Sequence, residues 1–194
     1  MRKLYLLGSM YVVLCAFVVF KPKPAPPPRP TTHVNQPPVQ FGGTGAQWFQ
    51  AMKPFCNALE VETQHKYHPA PTTVDGAGYS AACYALASKI DRARAVIESL
   101  PPSDRGTAAN IVFNVGHPVA DAGDDKSAGP IMELVIEFWP ENYMALYHAG
   151  MSEYVLGQLD PARDHLKKFV ELYHENDGWR TNALDVLNRL GETP

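Results

Sequence analysis

One stretch concentrates residue types that do chemistry. Residues 115–129 read VGHPVADAGDDKSAG, which sets His117, Asp121, Asp124, Asp125, Lys126 and Ser127 among glycines. A histidine with several carboxylates is the material of a metal centre or an acid–base pair. The order D-A-G-D-D departs from that of a calcium loop of the EF-hand kind. His65 and His68 (HKYH) can share a helical face, but no further ligand is in view and Pro69 ends the helix; a charge at the helix C-terminus is their expected role. The chain contains no G-x-S-x-G, phosphate-binding loop, H-E-x-x-H or C-x-x-C. The expectation is therefore a protein without catalytic residues, metal or cofactor, and not an enzyme.

The elements that must hold this stretch are legible from charge and punctuation. The net charge of −3 over 194 residues is unevenly spread. Residues 1–40 carry five basic and no acidic residues, so 41–194 hold 12 basic against 20 acidic, a balance of −8. Phosphate backbones repel so acidic a surface, and nucleic acid is not an expected partner.

Residues 4–20 form an uncharged apolar run of 17 behind Arg2 and Lys3. As a helix it covers about 26 Å, and Lys3 and Lys21 can snorkel to complete a membrane span. A cleaved signal peptide is the rival reading. The run ends in FKPKP without a small-x-small site, which favours an uncleaved anchor over residues 1–21. The short leading tail favours a cytoplasmic N-terminus and a periplasmic or otherwise extracytoplasmic domain, although basic residues flank both ends. Residues 22–45 follow as a proline- and glycine-rich linker, with eight prolines between Lys21 and Pro38. Such a segment is a polyproline-like spacer of about 60 Å, or alternatively a PxxP ligand.

Residues 46–194 read as one helical domain, with helices over 46–66, 77–87, 90–100, 107–121, 125–139, 142–156, 160–174 and 178–190. Trp48, Met52, Phe55 and Leu59 share one face of the first, which is expected to cap the rest. An internal period explains the opening stretch. Thirty-four residues after it comes AGMSEYVLGQLDPAR, and thirty-five before 115–129 lies SAACYALASKIDRAR. Gly116, Gly150 and Ala81 then coincide, as do Gly123, Gly157 and Ser88, and Ala128, Ala162 and Ala93. The first set lets a second helix approach, the second accepts the left-handed turn, and the third fits the crossing point. Asp124 and Asp125 fall at a turn, where helix-capping acids belong. Asp160 before Pro161 has the form of a helix start.

Helix–turn–helix units of 34 residues with small residues at these offsets resemble the tetratricopeptide repeat (TPR) family. The resemblance covers units at about 74–107, 109–142 and 143–176, with 178–190 as a closing helix whose Ala183, Leu184, Leu187 and Leu190 face the stack. Phe169 departs from it, standing where the family usually has a small residue, and so does Pro118 inside a first helix. The fold implied is an all-α stack of antiparallel hairpins, an α-solenoid. The function implied is a membrane-anchored scaffold that binds a peptide or protein in a groove lined by first-helix positions: Asn110, Phe113, His117, Asp121, Met144, Tyr147, Met151, Tyr154 and Val155. Tyr147 and Tyr154 read equally well as inter-helix core. The lining lacks the Lys/Asn/Arg set that clamps a peptide's terminal carboxylate. Self-association as a structural envelope component is the alternative, and a glycan or small-ligand binder is a third. Cys56 and Cys83 either pair, given an exported domain, or stand as buried thiols. Pro118 removes the amide that would bond the Asn114 carbonyl, which predicts an interrupted first helix across 114–120 with His117 turned toward the groove.

Overall fold

The computed structural model describes residues 41–191. These form nine α-helices and one 3-10 turn, with no strand among the described residues. The apolar run 4–20 and most of the proline-rich linker lie outside them. No helix among the described residues is long and apolar enough to cross a membrane.

The first expected helix is in fact three pieces. α1 (Gly45–Met52) starts on a capping box between Thr44 and Gln47, a 3-10 turn covers Lys53–Phe55, and α2 (Val61–Tyr67) follows. Pro54 breaks the continuity that placed Leu59 on the apolar face, and Leu59 is 91% exposed. Trp48 and Met52 are buried as expected, in a cluster with Phe49, Cys56, Val61 and Cys83. A disulfide joins Cys56 to Cys83, whose Cα atoms are 4.9 Å apart.

Three helical hairpins follow: α3 (Val74–Leu86) with α4 (Ile90–Glu98), α5 (Pro102–Asp121) with α6 (Asp125–Phe138), and α7 (Tyr143–Val155) with α8 (Leu159–Leu172). Their turns share one geometry. Ser88, Gly123 and Gly157 have φ of 59°, 77° and 79°. In each turn the next residue's amide reaches back to a carbonyl five positions earlier: Lys89 to Tyr84 (2.9 Å), Asp124 to Val119 (3.3 Å) and Gln158 to Glu153 (2.8 Å). That is the Schellman closure, and it requires the left-handed residue. Ala93, Ala128 and Ala162 are buried at the equivalent crossing points. At Gly150 a Cβ would stand 2.7 Å from Leu166 Cγ, and at Gly116 the same distance from Ile131 Cγ2. In these two hairpins glycine sets how near the second helix comes, and in the first Ala81 stands at that place.

Successive hairpins join in two different ways. α5 packs mainly on α3, whereas α7 packs mainly on α6 and meets α5 over few residues. Small residues again mark the approaches: Gly78 of α3 faces Ala108 and Ile111 of α5, and Gly129 of α6 faces Ser152 of α7. α9 (Gly178–Arg189) closes the C-terminal side. It buries Ala183, Val186 and Leu187 against Leu146, Tyr147, Leu166 and Phe169.

Helix starts follow side-chain caps at Thr73, Asp124, Asn142 and Asp177. Asp160 is not a cap. α8 already begins at Leu159, and Asp160 lies one residue inside it, paired with Arg163 at 2.6 Å.

The interruption expected at Pro118 does not occur, for α5 is helical from Pro102 to Asp121. Pro118 and Asn114 both lie on the exposed side, where water can serve the carbonyl left without a donor. Pro118→Ala should therefore raise stability by about 1–3 kcal/mol, read from urea unfolding. A loss of stability would show that the ring itself packs.

Candidate functional site

The unbroken helix puts His117 and Asp121 one turn apart on α5, facing α7. His117 Nε2 stands 3.5 Å from Asp121 Oδ1, and His148 Nε2 of α7 stands 3.6 Å from the same oxygen. Both Nε2 atoms are buried, and neither has a hydrogen-bond partner. His148 is 5% exposed, while the Asp121 side chain is 46% exposed and opens the group to solvent. Burial, reinforced by the neighbouring His117 and opposed by Asp121, pushes the His148 pKa down to about 4. A neutral imidazole therefore lies buried on α7 beside α5 near neutral pH.

Aromatic rings surround these three residues in a continuous track. Phe113 stacks on His117 at 4.8 Å and meets Trp139 edge-on at 6.4 Å. His117 meets His148 at 4.9 Å, and His148 meets Trp179 at 5.6 Å. Trp179 contacts Tyr147 at 5.0 Å, and Tyr147 contacts Phe169 at 5.1 Å. Trp139 and Trp179 are each 37% exposed, so the track carries two indoles at the surface. Beside Trp139 lies a depression of about 290 Å³ lined also by Gly106, Thr107 and Asn110. Comparison of the chain with protein-family models, curated proteins and solved structures returns no match.

The residues expected to line a groove divide into two sets. Asn110, Phe113, His117 and Asp121 are exposed or half-buried along α5. Tyr147 is instead 4% exposed, held by Phe169 and Trp179, with its hydroxyl accepting from Asn182 at 3.5 Å. Its ring is core and not groove lining, because α9 closes over it. Met144, Met151 and Tyr154 are half-buried against the same core, and Val155 is exposed at the end of α7. Sequence reasoning did not single out His148, Trp139 or Trp179 for this face. Asp124 caps α6 by accepting from the Ser127 amide at 3.2 Å, and Asp125 opens that helix.

Two further histidines are settled by local bonds. His65 lies 2.9 Å from the Val61 carbonyl through Nδ1 and 3.0 Å from the Ser80 hydroxyl through Nε2. Burial holds its pKa below the usual value, so Nδ1 donates, Nε2 accepts, and the ring is no helix-end charge. His165 on α8 pairs with the buried Glu153 of α7, Nδ1 to Oε2 at 2.8 Å, and that bond raises its pKa. The folded chain thus binds this proton more tightly than the unfolded one. The pair's contribution is complete below pH about 6.5 and is lost as pH rises through the raised folded value. His165→Ala should cost roughly 1–3 kcal/mol at pH 6 and less at alkaline pH, in urea titrations across that range. A deficit independent of pH would show that His165 acts by packing alone.

Proposed function

We propose that the chain is a membrane-anchored scaffold whose TPR-like helical domain presents the aromatic face of α5, α7 and α9 to a peptide or protein. The observation that carries this is the ring track from Trp139 to Trp179, with both indoles surfaced and polar Asn110 beside Trp139. Exposed aromatics with polar neighbours are the composition of binding hot spots, since they supply apolar contact at low entropic cost. Recognition on such a face is non-covalent, and no reaction is assigned to it. The apolar run 4–20 and the proline-rich linker supply the anchor and the spacer. The Cys56–Cys83 disulfide supports an extracytoplasmic setting, where such bonds persist.

Trp139→Ala and Asn110→Arg test the reading, because both positions lie at the surface. Asn110→Arg should leave the unfolding midpoint nearly unchanged and Trp139→Ala should lower it, since that indole is 37% exposed and packs on Phe113. Each should reduce partner recovery from native membranes at least tenfold. Undiminished recovery with both variants would remove the face from the account.

A second reading, self-association as an envelope component, is favoured by Val155, Leu156 and Leu159. These are 63%, 48% and 45% exposed around the α7–α8 turn, an apolar patch of the kind that marks contact sites. Sedimentation of the full-length chain with Leu156→Glu and Leu159→Glu distinguishes the two. Concentration-dependent association abolished by the pair supports it, and a monomer at every concentration excludes it.

A further inference from the structure

We propose that His117, Asp121 and His148 bind a first-row divalent transition cation of the zinc class, which ties α5 directly to α7. This is independent of what the aromatic face recognises.

The two carboxylate–imidazole distances are close to those of a ligand shell and longer than those of a hydrogen-bonded trio. A charge-assisted bond between imidazole and carboxylate draws the heavy atoms to about 2.7–2.9 Å. Four ligands held at about 2.0–2.1 Å around a tetrahedral ion stand about 3.3 Å from one another. Here one carboxylate oxygen lies 3.5 Å from one Nε2 and 3.6 Å from the other, and all three ligand atoms lie within 4.8 Å of one another. Two ligands of one ion stand at most about 4.2 Å apart, so binding draws the two imidazoles together by a small side-chain rotation.

The second observation is the buried pair of ring nitrogens. Both Nε2 atoms are shielded from water, aimed at the same carboxylate, and without a hydrogen-bond partner. Buried polar atoms in folded proteins are nearly always satisfied, so two orphans converging on one point mark a ligand's place. A cation accepts both lone pairs and the carboxylate charge at once. Two imidazoles beside one carboxylate select zinc-class ions over magnesium or calcium, which take oxygen shells. The exposed edge of Asp121 gives an entry path and leaves the fourth position to water.

The placement gives the ion a mechanical consequence. α5 and α7 meet over few residues and are otherwise linked through α6, which packs against both. An ion shared by His117 and Asp121 on one side and His148 on the other would bridge the weaker junction between hairpins. Its binding then appears as stability, because a ligand held by the folded form alone shifts the unfolding equilibrium.

The test uses the full-length chain, purified without an affinity tag and stripped with chelator. Calorimetric titration with Zn²⁺ should give one ion per chain, and Zn²⁺ should raise the melting temperature. Asp121→Asn and His117→Gln, changes at solvent-reachable positions, should each weaken binding at least tenfold and abolish the thermal shift. Co²⁺ should give the visible absorption of a tetrahedral site in the parent chain and not in either variant. Absence of stoichiometric Zn²⁺ binding by the parent chain would overturn the proposal. So would binding unchanged in both variants, which would place the ion at other histidines.

Discussion

Replacing both Cys56 and Cys83 with alanine lowers the unfolding free energy by about 3.5 kcal/mol, the closure entropy of a loop spanning 27 residues. The bond ties the segment after the 3-10 turn to α3. α1 and Val61 pack Trp48, Phe49 and Met52 against that helix. Trp48 adds an indole hydrogen bond to the His68 carbonyl at 2.9 Å, and Asp75 receives the Gly45 amide at 2.8 Å. Neither is enough to fix a short helix without the cross-link, since isolated helices of this length are marginal. The loss should thus be felt first at Trp48, as a red shift of its emission before global unfolding. Urea titrations of the oxidised chain and the double variant give the number. A difference below about 1 kcal/mol would mean that packing alone holds α1.

Phe169→Ala should cost about 3–5 kcal/mol, the range for deleting a buried aromatic ring. Phe169 is fully buried on α8, with Tyr147 at 5.1 Å and Tyr173 at 5.0 Å. This is the position where the TPR resemblance leads one to expect a small residue. The ring here fills the space between α7, α8 and α9 and backs Tyr147, which in turn supports Trp179. Truncation should therefore loosen the C-terminal end of the ring track as well as the core. Unfolding by urea, followed through indole fluorescence, measures both effects. A loss under about 1.5 kcal/mol would show that α9 collapses into the cavity.

The hairpins were legible because their requirements fall on single residues. Left-handed turns need Gly123 and Gly157 and tolerate Ser88, and close crossings need Gly116, Gly150, Ala128 and Ala162, so the period stands out in the sequence. The candidate site was only partly legible. The repeat register already set His117 and Asp121 on one face of a first helix, although Pro118 was expected to interrupt that helix. The proline's backbone cost falls on the solvent side, where it can be borne, so the helix runs on. His148 has no repeat-equivalent histidine, since Asn114 occupies the matching place, and only tertiary packing of α7 beside α5 brings it near. Tyr147 shows the converse limit. Periodicity assigns it a face of α7, but whether α9 covers that face depends on a helix with no period of its own. At residues 46–66 the apolar spacing carried past Pro54, where the backbone could not follow.

The most direct test of the binding reading is site-specific photo-crosslinking of the full-length chain in its native cells. A photo-reactive side chain at Asn110, beside Trp139, is compared with one at Glu171, an exposed position on α8. The account predicts a discrete crosslinked protein species from position 110, lost when Trp139 is also replaced by alanine, and none from position 171. Crosslinks of equal yield from both positions, or none from position 110, would contradict it.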